Sequence, residues 1–504
     1  MSARTSTRRI AWVASSVITL GLLVPGCGGR DGSQSASNTA GNSTNPQIPA
    51  PDPARPPSKN PTSTVLRWNE IALIAQGVDH APVAAGENRV FGEQLGPARS
   101  SRALAIVQIA VFDAKNAVAG GYRSYTGIPS APGASINAAI AQAARDTLAA
   151  LYPSQGPSFD AGLSEDLDLV PDGAQKTAGI DVGRTAAAAI LSLREGDGSE
   201  YVEPIWGVNW SPSDLPGHWQ KDPVSQNPIV MGAYWRKVKP FALASGDQYR
   251  IPPPPAMDSA EYAAAFDEVK RLGGDGITTP TERTDDQTLA GIYWAYDGTP
   301  GLGARPRQYN QMVVNIASAM GTSGTALARL LALANVAMAD AAIAAWDSKY
   351  HYDFWRPVTA IRRALEDGNP ATAKDPTFMP LGAPASNSSG PNFTPPFPSY
   401  PSGHATLGSA SFEILRDFYG TDAIAFTFVS DELNGKALDN EGHVRPLAPR
   451  SFSSLTEAEE ENGQSRIYLG IHWAFDKTEG MAQGRLVGDH VFRGVFQPLD
   501  TGAQ

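Results

Sequence analysis

The chain has one cysteine, Cys27, in 504 residues, so no disulfide can close within it in any compartment. Charge is also sparse. Charged residues make up 18%, and acidic residues outnumber basic ones 51 to 40, leaving a net charge of −11. A general nucleic-acid binder needs a basic face against the phosphates, so that class is excluded, although a small local basic pocket is not. Alternating strand patterns are scarce, and no repeat period stands out. What remains is a globular composition with 42% hydrophobic residues and enough length for two or more compact units around a large core.

At the N-terminus, Arg4, Arg8 and Arg9 precede the apolar run "IAWVASSVITLGLLV", which is short for a membrane span. It closes with "VPGC", and the whole resembles a bacterial lipoprotein signal in which Cys27 takes the lipid. The alternative is an ordinary signal peptide cut nearby. Either implies export, and the first implies a cell-envelope lipoprotein touching the membrane only through an anchor at Cys27. Residues 1–27 are therefore read as a signal segment. Residues 28–63, dominated by Ser, Asn, Gly and Pro, are read as a flexible tether.

Folded sequence is expected from "TVLRWNEIALIAQ" onward. The stretches "SSRALAIVQIAVFDAKNAVAG", "ASINAAIAQAARDTLAALY", "GAQKTAGIDVGRTAAAAILSLREGDG", "SAEYAAAFDEVKRLGG" and "TALARLLALANVAMADAAIAAWDSKY" carry apolar residues at three- and four-residue spacing, the helical pattern. A further helix is expected from His404 to about Tyr419, and one long last helix over "SRIYLGIHWAFDKTEGMAQGRLVGDHVF". Residues 201–255 and 367–401 are rich in Pro and read as loops. The fold class is all-α: two helical bundles joined by long irregular loops, with a helical region at 64–300 and a C-terminal bundle at 301–504 that carries an anion site.

Three segments define that site. In "KYHYDFWRP", Lys349 and Arg356 stand seven residues apart, which on a helix is one face with a drift of roughly 20°. Pro357 should loosen such a helix. Two adjacent cations among aromatic residues point to a shared multivalent anion. In "PSYPSGHATLGSA", Ser402, Gly403 and His404 form a turn into a helix whose first N–H groups lack intrahelical partners and attract an anion. In "SRIYLGIHWAFD", Arg466 is expected near the start of a helix, with His472 further on and Asp476 at i+4, placed to fix the tautomer of that ring. Arg forks match oxyanion edges, Lys adds a point charge, and two histidines supply a ligand or nucleophile and an acid/base. His80, His218, His351, His443 and His490 carry no comparable context.

Lys-x6-Arg-Pro, Pro-Ser-Gly-His and Ser-Arg-x5-His-x3-Asp, in this order, resemble the tripartite signature of the vanadium-dependent haloperoxidases, which the type 2 phosphatidic acid phosphatase superfamily shares. The likeness is strongest over residues 346–476 and closest to the chloroperoxidase branch. It implies vanadate as cofactor, held by Lys349, Arg356 and Arg466 with help from Ser402 and the Gly403 N–H. It further implies His472 as the axial ligand to vanadium and His404 as acid/base. Lys349 would polarise bound peroxide through a hydrogen bond. Asp297 would salt-bridge Arg466, and Trp346 and Phe397 would flank the halide, with a Phe at the latter position accompanying chloroperoxidases. The implied reaction is oxidation of halide by hydrogen peroxide to hypohalous acid, with an organic acceptor as a further partner, in a homodimer. The main alternative is an acid phosphatase of the same superfamily, with His472 as nucleophile and His404 as acid/base. A non-catalytic oxyanion-binding lipoprotein is the third reading; the paired histidines argue against it.

Overall fold

The structure, a computed structural model, describes residues 48–499; the signal-like segment, Cys27 and the first part of the expected tether lie outside them. The end of that tether is laid against the folded body. Arg55 clamps Glu70 through its backbone N–H (2.8 Å) and its Nε (2.9 Å), and Arg67 Nη1 donates to the Arg55 carbonyl at 2.6 Å.

Thirteen α-helices carry the described fold. They are α1 (Pro61–Asp79), α2 (Gly96–Ala119), α3 (Ile136–Leu151), α4 (Gly156–Asp168), α5 (Ala174–Leu193), α6 (Ala260–Leu272), α7 (Asp285–Tyr293), α8 (Pro306–Ala319), α9 (Gly324–Tyr352), α10 (Pro357–Arg362), α11 (Gly403–Tyr419), α12 (Leu455–Tyr468) and α13 (Ala474–Gly494). Strands are confined to two short antiparallel pairs, β1 (Asp297–Thr299) with β2 (Gly303–Ala304), and β3 (Phe426–Phe428) with β4 (Arg450–Phe452). The all-α expectation holds.

Helices α1–α5 pack on one another, as do α9, α11, α12 and α13, and α2 against α9 joins the groups. One apolar cluster runs through both. Helices α6 and α7 pack against α10 and α12, because Tyr262, Phe266 and Val269 of α6 share a cluster with Phe354, Trp355 and Trp473. Periodicity marks an apolar face but does not say what that face will meet.

Small residues set the closest contacts. Along α13, Gly480, Gly484 and Gly488 recur every fourth position. A Cβ on them would come within 3.0 Å of the Ser402 carbonyl oxygen, 2.3 Å of that of Thr406 and 2.8 Å of that of Ala410. The bare stripe lets α13 lie directly on the backbone of α11, whose first turn bears Ser402, Gly403 and His404.

Two expected helices break where the chemistry sits. Helix α9 stops at Tyr352, with Asp353 left-handed (φ 50°), and Arg356 is extended (φ −82°, ψ 153°) as the cap of α10. A residue before proline avoids the α region, and proline suits the first helical position, so Pro357 starts a helix where a kink was expected. Lys349 and Arg356 therefore do not share a helical face. The expected last long helix is two: Gly470, at φ 73°, ends α12, and a Cβ there would collide with the Gly273 carbonyl at 2.4 Å. Arg466 consequently lies near the end of α12, not at a helix start, and His472 lies on the connector.

Candidate active site

Each polar side chain singled out in the C-terminal half converges on one buried cluster. Ser402 caps α11, its hydroxyl accepting from Ala405 N–H at 3.4 Å, and its own N–H donates to the Asp476 carbonyl at 2.9 Å. That second bond ties the α11 turn to the start of α13.

His472 donates from Nδ1 to Asp476 Oδ2 at 2.6 Å. The same carboxylate oxygen accepts from the Ser399 hydroxyl and from Trp473 N–H at 3.2 Å. With Nδ1 carrying the proton, Nε2 presents its lone pair, and Arg356 Nη1 lies 2.9 Å from it. Arg356 is pinned by the carbonyls of Phe397 (3.0 Å) and Ile471 (2.9 Å).

Lys349 Nζ donates to three carbonyls: Pro398 at 2.9 Å, Ser399 at 2.8 Å and Pro401 at 2.5 Å. Burial and the neighbouring Arg356 push its pKa well down. Yet three acceptors need three N–H bonds, which only the ammonium has, so the geometry retains the charged form. Phe397 lies beneath Lys349 Nζ and Arg356 Cζ, at 5.1 and 5.0 Å from its ring centroid, and packs on Trp346 at 5.0 Å. The expected aromatic pair is thus a cation-facing wall.

Arg466 is fully buried and donates from Nη2 to Asp297 Oδ2 at 2.7 Å, the pairing that the motif resemblance implied. Its Nε and Nη1 are buried without a partner among the described residues. His404 is equally buried; its Nε2 donates to the Ala295 carbonyl at 2.6 Å, leaving Nδ1 unpartnered. Burial, then Arg305 and Arg466, hold the His404 pKa well below the usual imidazole value. For His472 the causes are burial, then Arg356 and Lys349. Both rings are neutral in this environment.

The chain is 32% identical over 513 residues to vanadium chloroperoxidase of Curvularia inaequalis, an alignment covering 85% of this chain and 81% of that protein. It belongs to the vanadium haloperoxidase family. A sequence model of the VCPO second helical-bundle domain matches residues 329–501, the span that holds Lys349, Arg356, Ser402, His404, Arg466 and His472. Two solved structures share the haloperoxidase fold. The first bacterial vanadium-dependent iodoperoxidase superposes with a TM-score of 0.69 at 22% identity, covering 89% of this chain and 100% of that one. A holo-type bacterial vanadium-dependent chloroperoxidase gives 0.61 at 18% identity, covering 82% and 95%.

Two residues of this haloperoxidase cluster escaped sequence reasoning. Ser399 holds Asp476 from within the same Pro-Ser-Gly-His loop, where nothing distinguished it from a turn serine. Arg305 caps α8 and lies buried beside Gly403. It sits in "LGARPRQ", a stretch without any pattern that sets one arginine apart from the next. Four cationic side chains, Lys349, Arg356, Arg466 and Arg305, thus share the cluster with two carboxylates, Asp297 and Asp476.

Proposed function

We propose that this haloperoxidase-family chain oxidises halide with hydrogen peroxide to hypohalous acid, using vanadate held by the buried cationic cluster. The observation that carries the reading is the surplus of buried positive charge around His472, whose Nε2 lone pair faces Arg356 Nη1 at 2.9 Å. Buried donors without acceptors cost free energy unless something fills them. Arg466 Nε and Nη1 are such donors, and a tetrahedral oxyanion is the group they suit.

In this reading Arg356 and Arg466 hold oxyanion oxygens, the Ser402 hydroxyl and Gly403 N–H add hydrogen bonds, and His472 Nε2 is the metal ligand. Bound vanadate supplies a Lewis-acid centre that activates peroxide without a change of oxidation state. Asp476 keeps the proton on His472 Nδ1, so that Nε2 stays available. His404 takes and returns a proton at Nδ1, since Nε2 is engaged by Ala295. Lys349, with all three N–H bonds on carbonyls, acts as a fixed charge rather than as a direct donor. The Phe397 and Trp346 wall favours a small polarisable anion such as halide, and Phe at position 397 points to chloride competence. In the same reading the signal-like segment at residues 1–27 would carry the protein to the cell envelope, with Cys27 as lipid anchor; lipid labelling that is lost in Cys27→Ser supports the anchor, and none in the wild type assigns an ordinary cleaved signal peptide.

The test is halide oxidation by protein loaded with orthovanadate and freed of excess, with hydrogen peroxide and iodide, bromide and chloride in turn, beside a phosphate-ester assay on unloaded protein. Vanadate-dependent halide oxidation supports the proposal. Ester hydrolysis without it assigns the same residues to a phosphatase, with His472 as nucleophile.

A further inference from the structure

Arg305 lies outside the three motifs that define the site. It is the residue before Pro306, at the start of α8, and only 2% of its surface is exposed. A Cβ on Gly403 would come within 2.6 Å of its Nη1, so the guanidinium lies directly against the anion-facing turn. Its closest carboxylate approach is to Asp297 Oδ1, at 3.6 Å, beyond hydrogen-bond reach. Its Nε is buried with no partner among the described residues. Asp297 bonds Arg466 through Oδ2, and its Oδ1, the oxygen that faces Arg305, makes no hydrogen bond among the described residues.

A buried guanidinium without a bidentate carboxylate is expensive, and a fold has little reason to keep one that nothing completes. Lys349, Arg356 and Arg466 against Asp297 and Asp476 leave one positive charge uncompensated; Arg305 makes it two. A phosphate-like anion carries between one and two negative charges near neutral pH, and surrounding cations favour the dianion. The full set of four cations matches that charge, and three do not.

We propose that Arg305 is a fourth cationic residue of the oxyanion site, one that binds the anion beside Gly403 and tunes the site for a dianion. This rests on the oxyanion reading above and adds a residue to it. The bare backbone of Gly403 is what lets Arg305 approach, so the two positions work as a pair.

The test is calorimetric titration of the full chain with orthovanadate, and separately with inorganic phosphate, for wild type, R305M and R305K. Both anions should bind R305M about ten- to a hundredfold more weakly than wild type, the effect of losing one charge-assisted contact. R305K, which keeps the charge, should recover part of the loss. Thermal unfolding of the anion-free protein should be unchanged or improved in R305M, because a like charge has left a net positive cluster. Equal affinities in wild type and R305M overturn the proposal but leave the oxyanion reading standing. Wild type that binds neither anion overturns both. Failure of both variants to fold overturns it too, since Arg305 would then serve the fold through Asp297.

Discussion

Arg466 Nη2 and Asp297 Oδ2 form a 2.7 Å ion pair between the end of α12 and β1, with both side chains sealed from solvent. The pair satisfies one edge of the guanidinium and leaves Nε and Nη1 bare. Asp297 therefore serves two ends. It partly neutralises a buried charge and aims the remaining donors at the site.

Asp297→Asn should destabilise the protein by about 3–5 kcal/mol, the usual result of stranding one member of a buried pair. Added orthovanadate should restore part of the loss by supplying a new partner for Arg466. Urea unfolding with and without vanadate measures both. Unchanged stability would mean that the pair is not what holds Arg466.

Asp476→Ala removes the acceptor that fixes the His472 tautomer and frees the Ser399 hydroxyl. Vanadate affinity should fall about ten- to a hundredfold, as for other groups that orient a metal-ligating histidine. Equilibrium dialysis reads this directly. Ser399→Ala should follow in the same direction with a smaller effect.

Gly484→Ala places a Cβ 2.3 Å from the Thr406 carbonyl oxygen, which the two helices can relieve only by parting. The expected cost is about 1–3 kcal/mol. Because α11 carries the Ser402–His404 turn, the same variant should bind vanadate more weakly than wild type. A variant with unaltered midpoint and affinity would show that α11 and α13 separate freely.

Stability should also depend on His80, which belongs to none of the three motifs. Its Nδ1 donates to the Gln76 carbonyl at 2.8 Å, and its Nε2 accepts from Gly96 N–H at 3.0 Å, so the ring caps α1 and α2 only while neutral. Burial lowers its pKa to about 4. A lowered folded-state value means that the unfolded chain binds the proton first as pH falls. Stability from His80 is therefore present above about pH 6.5 and is lost towards pH 4. Between pH 7 and 5 the loss should be about 2 kcal/mol. Comparing wild type with His80→Gln across that range isolates the contribution, since other titrating groups are common to both. A variant with the same pH slope would contradict it.

The polar positions of the cluster were legible because cations and histidines stand at short, recognisable spacings within three segments. Helix existence was legible too, from three- and four-residue periodicity in Ala-rich stretches. Breaks were not. Asp353 and Gly470 stop their helices through backbone conformations that tertiary contacts impose, and at Gly470 the contact is the Gly273 carbonyl, nearly two hundred residues away in sequence. The same limit hid Arg305 and Ser399. Their place in the cluster depends on where α8 and the Pro398–Pro401 loop end up, and neither has a periodic signature. Nor could the sequence show that Lys349 Nζ, read as a donor to the anion, donates to three carbonyls of that loop.

Under the proposed function, one oxyanion cofactor is held in this cluster by His472. The most direct measurement is vanadium content after loading the purified protein with orthovanadate and exhaustive desalting, for wild type and His472→Ala. One vanadium retained per chain in wild type, and loss of most of it in His472→Ala, is the predicted result. No retained vanadium in the wild-type protein, or equal retention in both, would mean that His472 does not hold the cofactor.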